Sequence, residues 1–199
     1  LNVEHVSAYH LIYEEGTPIY RMLQKHQVEE VDEDSSVRFF TLLIDRLQEA
    51  GYKHYEISNF CKPGMYSRHN TSYWQGTSYL GCGPSAHSFD GATREWNCSS
   101  IEKYIAGIES GKRDFEREER DLTTRYNEFV ITSVRTQCGI SLERLRNDYG
   151  TELEQYCLKM ARPSLENGKL EIHEGALRLT REGIFISDSI MSDLLRVDN

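Results

Sequence analysis

The chain has 199 residues, with 23 Lys+Arg against 32 Asp+Glu and a formal net charge of −9. Its 38% hydrophobic and 28% charged residues are the balance of a folded soluble protein rather than a disordered one, and the length suits one large domain or two small ones. No window approaches the roughly 20 apolar residues of a membrane span, no signal-peptide pattern opens the chain, and the acidic balance opposes a protein that wraps nucleic acid, where affinity comes largely from cations meeting phosphates.

The chain begins at Leu1 rather than Met, inside an apolar strand-like run, so it is expected to be a piece of a longer protein. Residues 5–11 read as a strand that stops at the turn Glu15-Gly16-Thr17-Pro18. A short helix from Pro18 to about Gln27 follows, with proline in its first turn. Asp32-Glu33-Asp34 places acids at the start of a second helix, where the macrodipole favours them. Val37, Phe40, Ile44 and Leu47 give that helix one buried face, and Gly51 its C-cap. The alternating run Lys53–Ser58 reads as a strand, so that strand, helices and strand resemble one βα unit of a parallel sheet.

Residues 59–91 are irregular, rich in glycine and hold His69, Tyr73, Trp74 and His87; a loop this long in a compact domain is usually functional. Asp90-Gly91 signals a hairpin between 86–89 and 93–96, and Ser99-Ser100-Ile101-Glu102 a capping box for a helix ending near Gly111. Lys112 to Asp121 reads as a charged linker. Beyond it, helices are expected at 123–137, 141–149 and 151–166, strands at Lys169–His173 and Ala176–Thr180, and a last helix from Gly183 to Leu195. Three helices, a hairpin and a final helix match a winged-helix arrangement. The expected domains are thus 1–111, a linker at 112–121, and 122–199, in an α+β fold class.

Residues 120–199 carry 11 Lys+Arg and 13 Asp+Glu, without the concentrated positive face that phosphate binding needs, so a packing or lid role is expected ahead of DNA binding. The five cysteines, Cys61, Cys82, Cys98, Cys138 and Cys157, are odd in number and widely spaced. That pattern suits a reducing cytoplasm and no disulfide framework, and no pair has the C-x₂₋₄-C spacing that presents two thiolates to zinc or an iron–sulfur cluster. Each thiol is expected to be a small, partly buried apolar residue. The acidic runs Glu29–Asp34 and Glu116–Glu119 read as solvated faces.

The segments Tyr55-Glu56-Ile57-Ser58-Asn59-Phe60, Arg68-His69-Asn70-Thr71-Ser72-Tyr73-Trp74 and Tyr79-Leu80-Gly81-Cys82-Gly83-Pro84-Ser85-Ala86-His87-Ser88 resemble the radical SAM family of oxygen-independent coproporphyrinogen III oxidases and their heme-chaperone relatives. His-Asn-x-x-Tyr-Trp at 69–74 resembles the chaperone branch, and Leu177–Gly183 with the last helix resembles the family's C-terminal domain. The resemblance implies that His5–Leu11 is a late strand of a partial (β/α) barrel. It also implies a [4Fe–4S] cluster and S-adenosylmethionine in the parent protein. The family's Cys-x-x-x-Cys-x-x-Cys motif is absent here, so this chain alone is not expected to cleave S-adenosylmethionine.

By the same resemblance His69 is a candidate heme-iron ligand, with Asn70, Tyr73 and Trp74 around the heme. A neutral imidazole is a good axial ligand, and aromatic rings can cover a porphyrin face. The competing reading has His69 and Asn70 hydrogen-bonding the loop backbone while Tyr73 and Trp74 anchor it in the core. Gly81, Gly83 and His87 are candidates for lining the cofactor cavity, against an ordinary tight turn at the glycines. Tyr9 and His10 fall where the family's strand faces S-adenosylmethionine. His5, His26, His54 and His173 read as structural or surface residues.

The expected function is that of a heme chaperone, binding heme and handing it to an acceptor protein. The alternatives are an authentic coproporphyrinogen III oxidase and a winged-helix interaction module. Neither nucleic acid nor a membrane span is expected, and an exposed edge at His5–Leu11 would invite self-association.

Overall fold

Asp32 and Thr17 set the first helices of the chain, as their side chains suit them to do. In a computed structural model describing residues 2–197, β1 (His5–Ser7) leads to α1 (Pro18–Gln24), whose cap Thr17 accepts from the Tyr20 amide. Asp32 accepts from the Ser35 amide at 2.8 Å to start α2 (Glu33–Glu49). This helix buries Phe40 and Ile44, while Val37 is exposed and Leu47 half-buried, so its apolar face is narrower than the spacing predicts. Ala50 is the C-cap, and Gly51 takes the left-handed conformation one residue later.

β2 (Lys53–Glu56) and β3 (Asn59–Cys61) follow, and the sheet order is β1-β3-β2 with both pairings antiparallel. The parallel βα unit expected from the sequence is therefore not formed between neighbours. The chain reverses at Ile57-Ser58, where the buried Glu56 carboxylate accepts from the Ser58 amide at 3.0 Å and from the Asn59 side chain. β3 then slots between β1 and β2, and Asn59, held by Ser7 Oγ at 2.6 Å, ties the turn to β1. The expected strand at 5–11 stops at Ser7 for the same reason. The Ala8 amide makes a last bond to the Ser58 carbonyl, and the partner strand has by then turned away. Tyr52, Tyr55, Phe60 and Cys61 complete this core with Phe40 and Ile44.

The chain divides into two compact units between Ser67 and Arg68. The second opens with α3 (Arg68–Trp74), then β4 (His87–Phe89), β5 (Thr93–Asn97), α4 (Ile101–Glu109) and β6 (Phe115–Glu119), the strands forming an antiparallel sheet in the order β4-β5-β6. The Asp90-Gly91 hairpin forms as predicted. Asp90 accepts from the Ala92 and Thr93 amides, which hold its carboxyl down at a pKa of about 2. The cap of α4 is Ser100, accepting from the Lys103 amide, one residue later than the predicted box. The stretch read as a charged linker contains β6, whose every side chain is exposed and whose backbone pairs with β5.

α5 (Leu122–Val134), β7 (Ile140–Ser141), α6 (Leu142–Tyr149), α7 (Thr151–Glu166), β8 (Leu170–His173), β9 (Ala176–Leu179), α8 (Arg181–Ile184) and α9 (Ser187–Leu194) complete the unit, with a sheet ordered β7-β9-β8. The single last helix expected from Gly183 to Leu195 is two, broken at Phe185-Ile186. Thr180 caps the first by accepting from the Gly183 amide. Tyr126, Val130 and Val134 from α5 meet Leu145, Leu153, Cys157, Leu177, Ile190 and Leu194 in one core. Tyr126 donates its buried hydroxyl to the Leu194 carbonyl at 2.9 Å, and Arg146 forks onto the buried Glu154 carboxylate with two bonds of 2.7 Å, holding that carboxyl below its usual range. The whole is a mixed α and β structure.

Candidate functional site

The His-Asn-x-x-Tyr-Trp segment lies on α3, not in a loop as its glycine-rich surroundings suggested. Its spacing explains both the helix and the arrangement. Residues four apart share a helix face, so His69 lies over Tyr73 and Asn70 on the same stripe as Trp74. The His69 and Tyr73 rings meet edge to face at 4.9 Å. Tyr73 meets Tyr79 in the same way at 5.0 Å, and Tyr79 lies 6.0 Å from Phe89, to which its backbone is paired by two hydrogen bonds. The Arg120 guanidinium covers the Phe89 ring at 4.8 Å. A continuous ladder of rings thus runs from His69 to a buried cation.

His69 is exposed, and among the described residues neither of its ring nitrogens has a hydrogen-bond partner; only its backbone carbonyl is engaged, by Ser72 Oγ at 2.7 Å. Trp74 is half-buried beneath the Arg135 guanidinium at 5.3 Å, and its Nε1–H is buried without an acceptor. Tyr73 and Trp74 border a cavity of about 650 Å³ whose other walls include Tyr79, Phe89 and Phe129, with Arg94, Arg120, Arg125 and Arg144 supplying positive charge against Glu128 and Asp148. Sequence reasoning missed these arginines. They are scattered over β5, α5, α6 and the residue after β6, and Arg120 follows a run read only as a solvated acidic face.

Gly81 and Gly83 serve their own chain. A Cβ at Gly81 would overlap the His87 carbonyl oxygen. The Gly81 amide donates to Ser88 Oγ at 3.0 Å and the Gly83 amide to the Tyr104 hydroxyl at 3.0 Å, while Asn97 donates to both glycine carbonyls. Gly83 sits at φ +110°, open to glycine and strained for other residues. His87 is exposed on β4 and lies against its cross-strand partner Trp96, ring centroids 5.7 Å apart.

Tyr9 and His10 belong to the first unit, beyond the end of β1. They border a cavity of about 410 Å³ with Phe39 and Phe40, and His10 Nδ1 lies 3.1 Å from Ser36 Oγ. His5 bonds the Tyr55 hydroxyl at 2.8 Å and His54 stacks on Phe60 at 4.3 Å, both in structural roles as expected.

Cys61 and Cys157 are buried and Cys98 half-buried, but Cys82 and Cys138 are exposed, against the expectation for all five. Burial pushes the Cys157 thiol up to about 11. Among the described residues no three of His, Cys, Asp and Glu come together as a metal site. The thiols present do not fit a [4Fe–4S] cluster, which needs several converging thiolates.

Residues 121–186 match the family model of the HemN C-terminal domain. The heme chaperone HemW of Mycobacterium tuberculosis is 35% identical over 196 residues, 97% of this chain and 48% of that protein. HemW of Bacillus subtilis is 30% identical over 198 residues, 98% of this chain and 52% of that protein. Over nearly its whole length the chain is similar to HemN-like radical SAM proteins. The bovine mitochondrial radical S-adenosyl methionine domain-containing protein 1 is 30% identical over 96% of this chain and 46% of its own length. The HemN-like fold is shared with the solved coproporphyrinogen III oxidase (HemN) of Escherichia coli, a radical SAM enzyme. That match has a TM-score of 0.72 at 16% identity and covers 97% of this chain and 48% of the enzyme. The chain spans about half the length of these HemN-like relatives.

Proposed function

We propose that this chain is the heme-binding part of a HemN-like heme chaperone, with heme as its cargo. The observation that carries the reading is His69: an exposed imidazole with both nitrogens unengaged, at the end of an aromatic ladder on α3. A neutral imidazole offers a lone pair to heme iron, Tyr73 and Trp74 offer flat apolar surface to the macrocycle, and Asn70 flanks them. Exposure suits a carrier, because cargo that must reach an acceptor protein has to be bound where a second protein can approach.

S-adenosylmethionine and the [4Fe–4S] cluster belong to the longer protein under this reading, and this chain alone is not catalytically competent. Tyr9 and His10 border the apolar cavity of the first unit as candidate S-adenosylmethionine contacts. His87, with Gly81 and Gly83 shaping the backbone opposite it, is a candidate cofactor-facing residue. The partial-barrel reading of the first unit, a winged-helix reading of α5–α9 with its hairpin, and a cytoplasmic location complete the proposal. No described helix is long and apolar enough to cross a membrane. β1 is an edge strand within its sheet, which supports self-association as a further property.

Titration of the chain with heme tests the reading. His69→Ala is expected to shift the Soret band and weaken binding about tenfold or more, the worth of one strong ligand bond; an unchanged spectrum and affinity would remove His69 as the ligand. Turnover of coproporphyrinogen III by the full-length protein, without heme binding, would replace the chaperone with the oxidase.

A further inference from the structure

The cavity bordered by Tyr73 and Trp74 has a chemical bias that the heme-ligand reading does not use. Its walls bring four arginines against two carboxylates, Glu128 and Asp148, in a chain whose overall charge is −9. Glu128 is shared: Arg94 reaches it at 3.0 Å and Arg120 pairs with its other oxygen. One carboxylate therefore answers two guanidiniums. Asp148 is tied to Arg144 by a single bond of 3.2 Å one helical turn away, in a pair about half exposed on both sides, where water screens the attraction. Arg125 has no carboxylate within ion-pair distance among the described residues, since Asp121, one turn before it, is engaged as the cap of α5.

The unmet hydrogen-bonding capacity has the same sign as the charge. Trp74 Nε1–H, Arg94 Nε–H and Arg120 Nε–H are buried without an acceptor, and the Arg120 side chain is only 8% exposed. All three are donors on residues that border the cavity. Buried donors without partners are costly, and a site with surplus donors and surplus positive charge is complementary to anionic oxygens. The walls also carry the rings of Tyr73, Tyr79, Phe89, Phe129 and Tyr149, with Gln75, Thr77, Ile131 and Thr132 between them.

We propose that this cavity binds a flat ligand carrying two carboxylates, with Arg125 and Arg144 pairing its carboxylates and Arg94, Arg120 and Trp74 donating from the buried wall. The inference rests on the heme reading in one respect only: it identifies the flat diacid as a porphyrin, whose propionates would enter here while its iron faces His69. Arg125 and Arg144 thereby become the residues that select the acid over its neutral analogues.

The test uses metal-free protoporphyrin IX and its dimethyl ester, which share the ring and differ only in charge. The unaltered chain is expected to bind the diacid more tightly than the diester. The double variant R125Q/R144Q is expected to weaken diacid binding by about tenfold or more, as loss of charge-assisted bonds requires. Diester binding should fall far less than diacid binding, and R125K/R144K should recover most of the loss. Equal affinity of the unaltered chain for diacid and diester would overturn the proposal, as would a glutamine variant that binds the diacid normally. Because neither porphyrin carries iron, these arms do not depend on axial ligation. Arginine dependence with an unchanged Soret band in His69→Ala would sink the ligand role of His69 and leave this site standing. A shifted Soret band without arginine dependence would do the reverse. A chain that binds neither metal-free porphyrin overturns this proposal, and one that also fails to bind heme overturns both.

Discussion

At Gly81 the backbone passes so close to the neighbouring strand that a single methyl group would overlap the His87 carbonyl. The glycine-rich run was read from sequence as backbone placed to meet a ligand, with an ordinary tight turn as its rival. The structure gives a third physical reason for Gly81, close packing of backbone on backbone, locked by Ser88 and Asn97. Gly81→Ala is therefore expected to lower unfolding free energy by about 1–3 kcal/mol, the range for forced overpacking. Denaturant titration against the unaltered chain measures it, and a change within error would mean that the hairpin yields freely. His69 shows the opposite case. Its identity and neighbours were legible from the motif, but its freedom from hydrogen bonds was not, because that depends on what the fold leaves beside it.

At the scale of elements, legibility followed the strength of the local pattern. α5, α6 and α7 lie within about three residues of their predicted bounds, since caps at Asp121 and Ser141 and the glycine at 150 mark their ends. α3 was missed: seven residues give too little periodicity to separate a short helix from a loop. β6 was missed for another reason. Every side chain on it is exposed, so no alternation marks it. It is held by backbone pairing to β5 and by cross-strand charges, with Glu95 accepting from Arg117 at 2.7 Å and also meeting Arg113. The first sheet fails the parallel expectation because a two-residue reversal at Ile57-Ser58 inserts β3, an event decided by the Glu56–Asn59 contacts. α5 and α9 are joined by the Tyr126 hydroxyl on the Leu194 carbonyl. Tyr126→Phe removes that donor and leaves a buried carbonyl without it, an expected loss of about 1–3 kcal/mol with faster hydrogen exchange in α9. Exchange and stability equal to the unaltered chain would refute the tie.

For the whole molecule, the cysteines differ in their surroundings: Cys61 and Cys157 are buried, Cys82 and Cys138 exposed and Cys98 between. Anaerobic reconstitution of this chain with iron and sulfide is expected to yield no stoichiometric iron–sulfur absorbance, and native alkylation to label Cys82 and Cys138 while sparing Cys61 and Cys157. A stable cluster, or rapid modification of Cys157 despite its raised thiol pKa, would contradict the arrangement. The sequence by itself carried the resemblance to HemN-like proteins, through motifs whose residue identities do not depend on local structure, and the amphipathic helices of the last eighty residues, through periodicity. Only the tertiary structure decided where the positive charge goes. Arg94, Arg120, Arg125 and Arg144 are separated by up to fifty positions in an acidic chain, and no local pattern marks them as a group. They converge because β5, α5 and α6 pack around the aromatic ladder, leaving a cavity bordered by more cations than carboxylates.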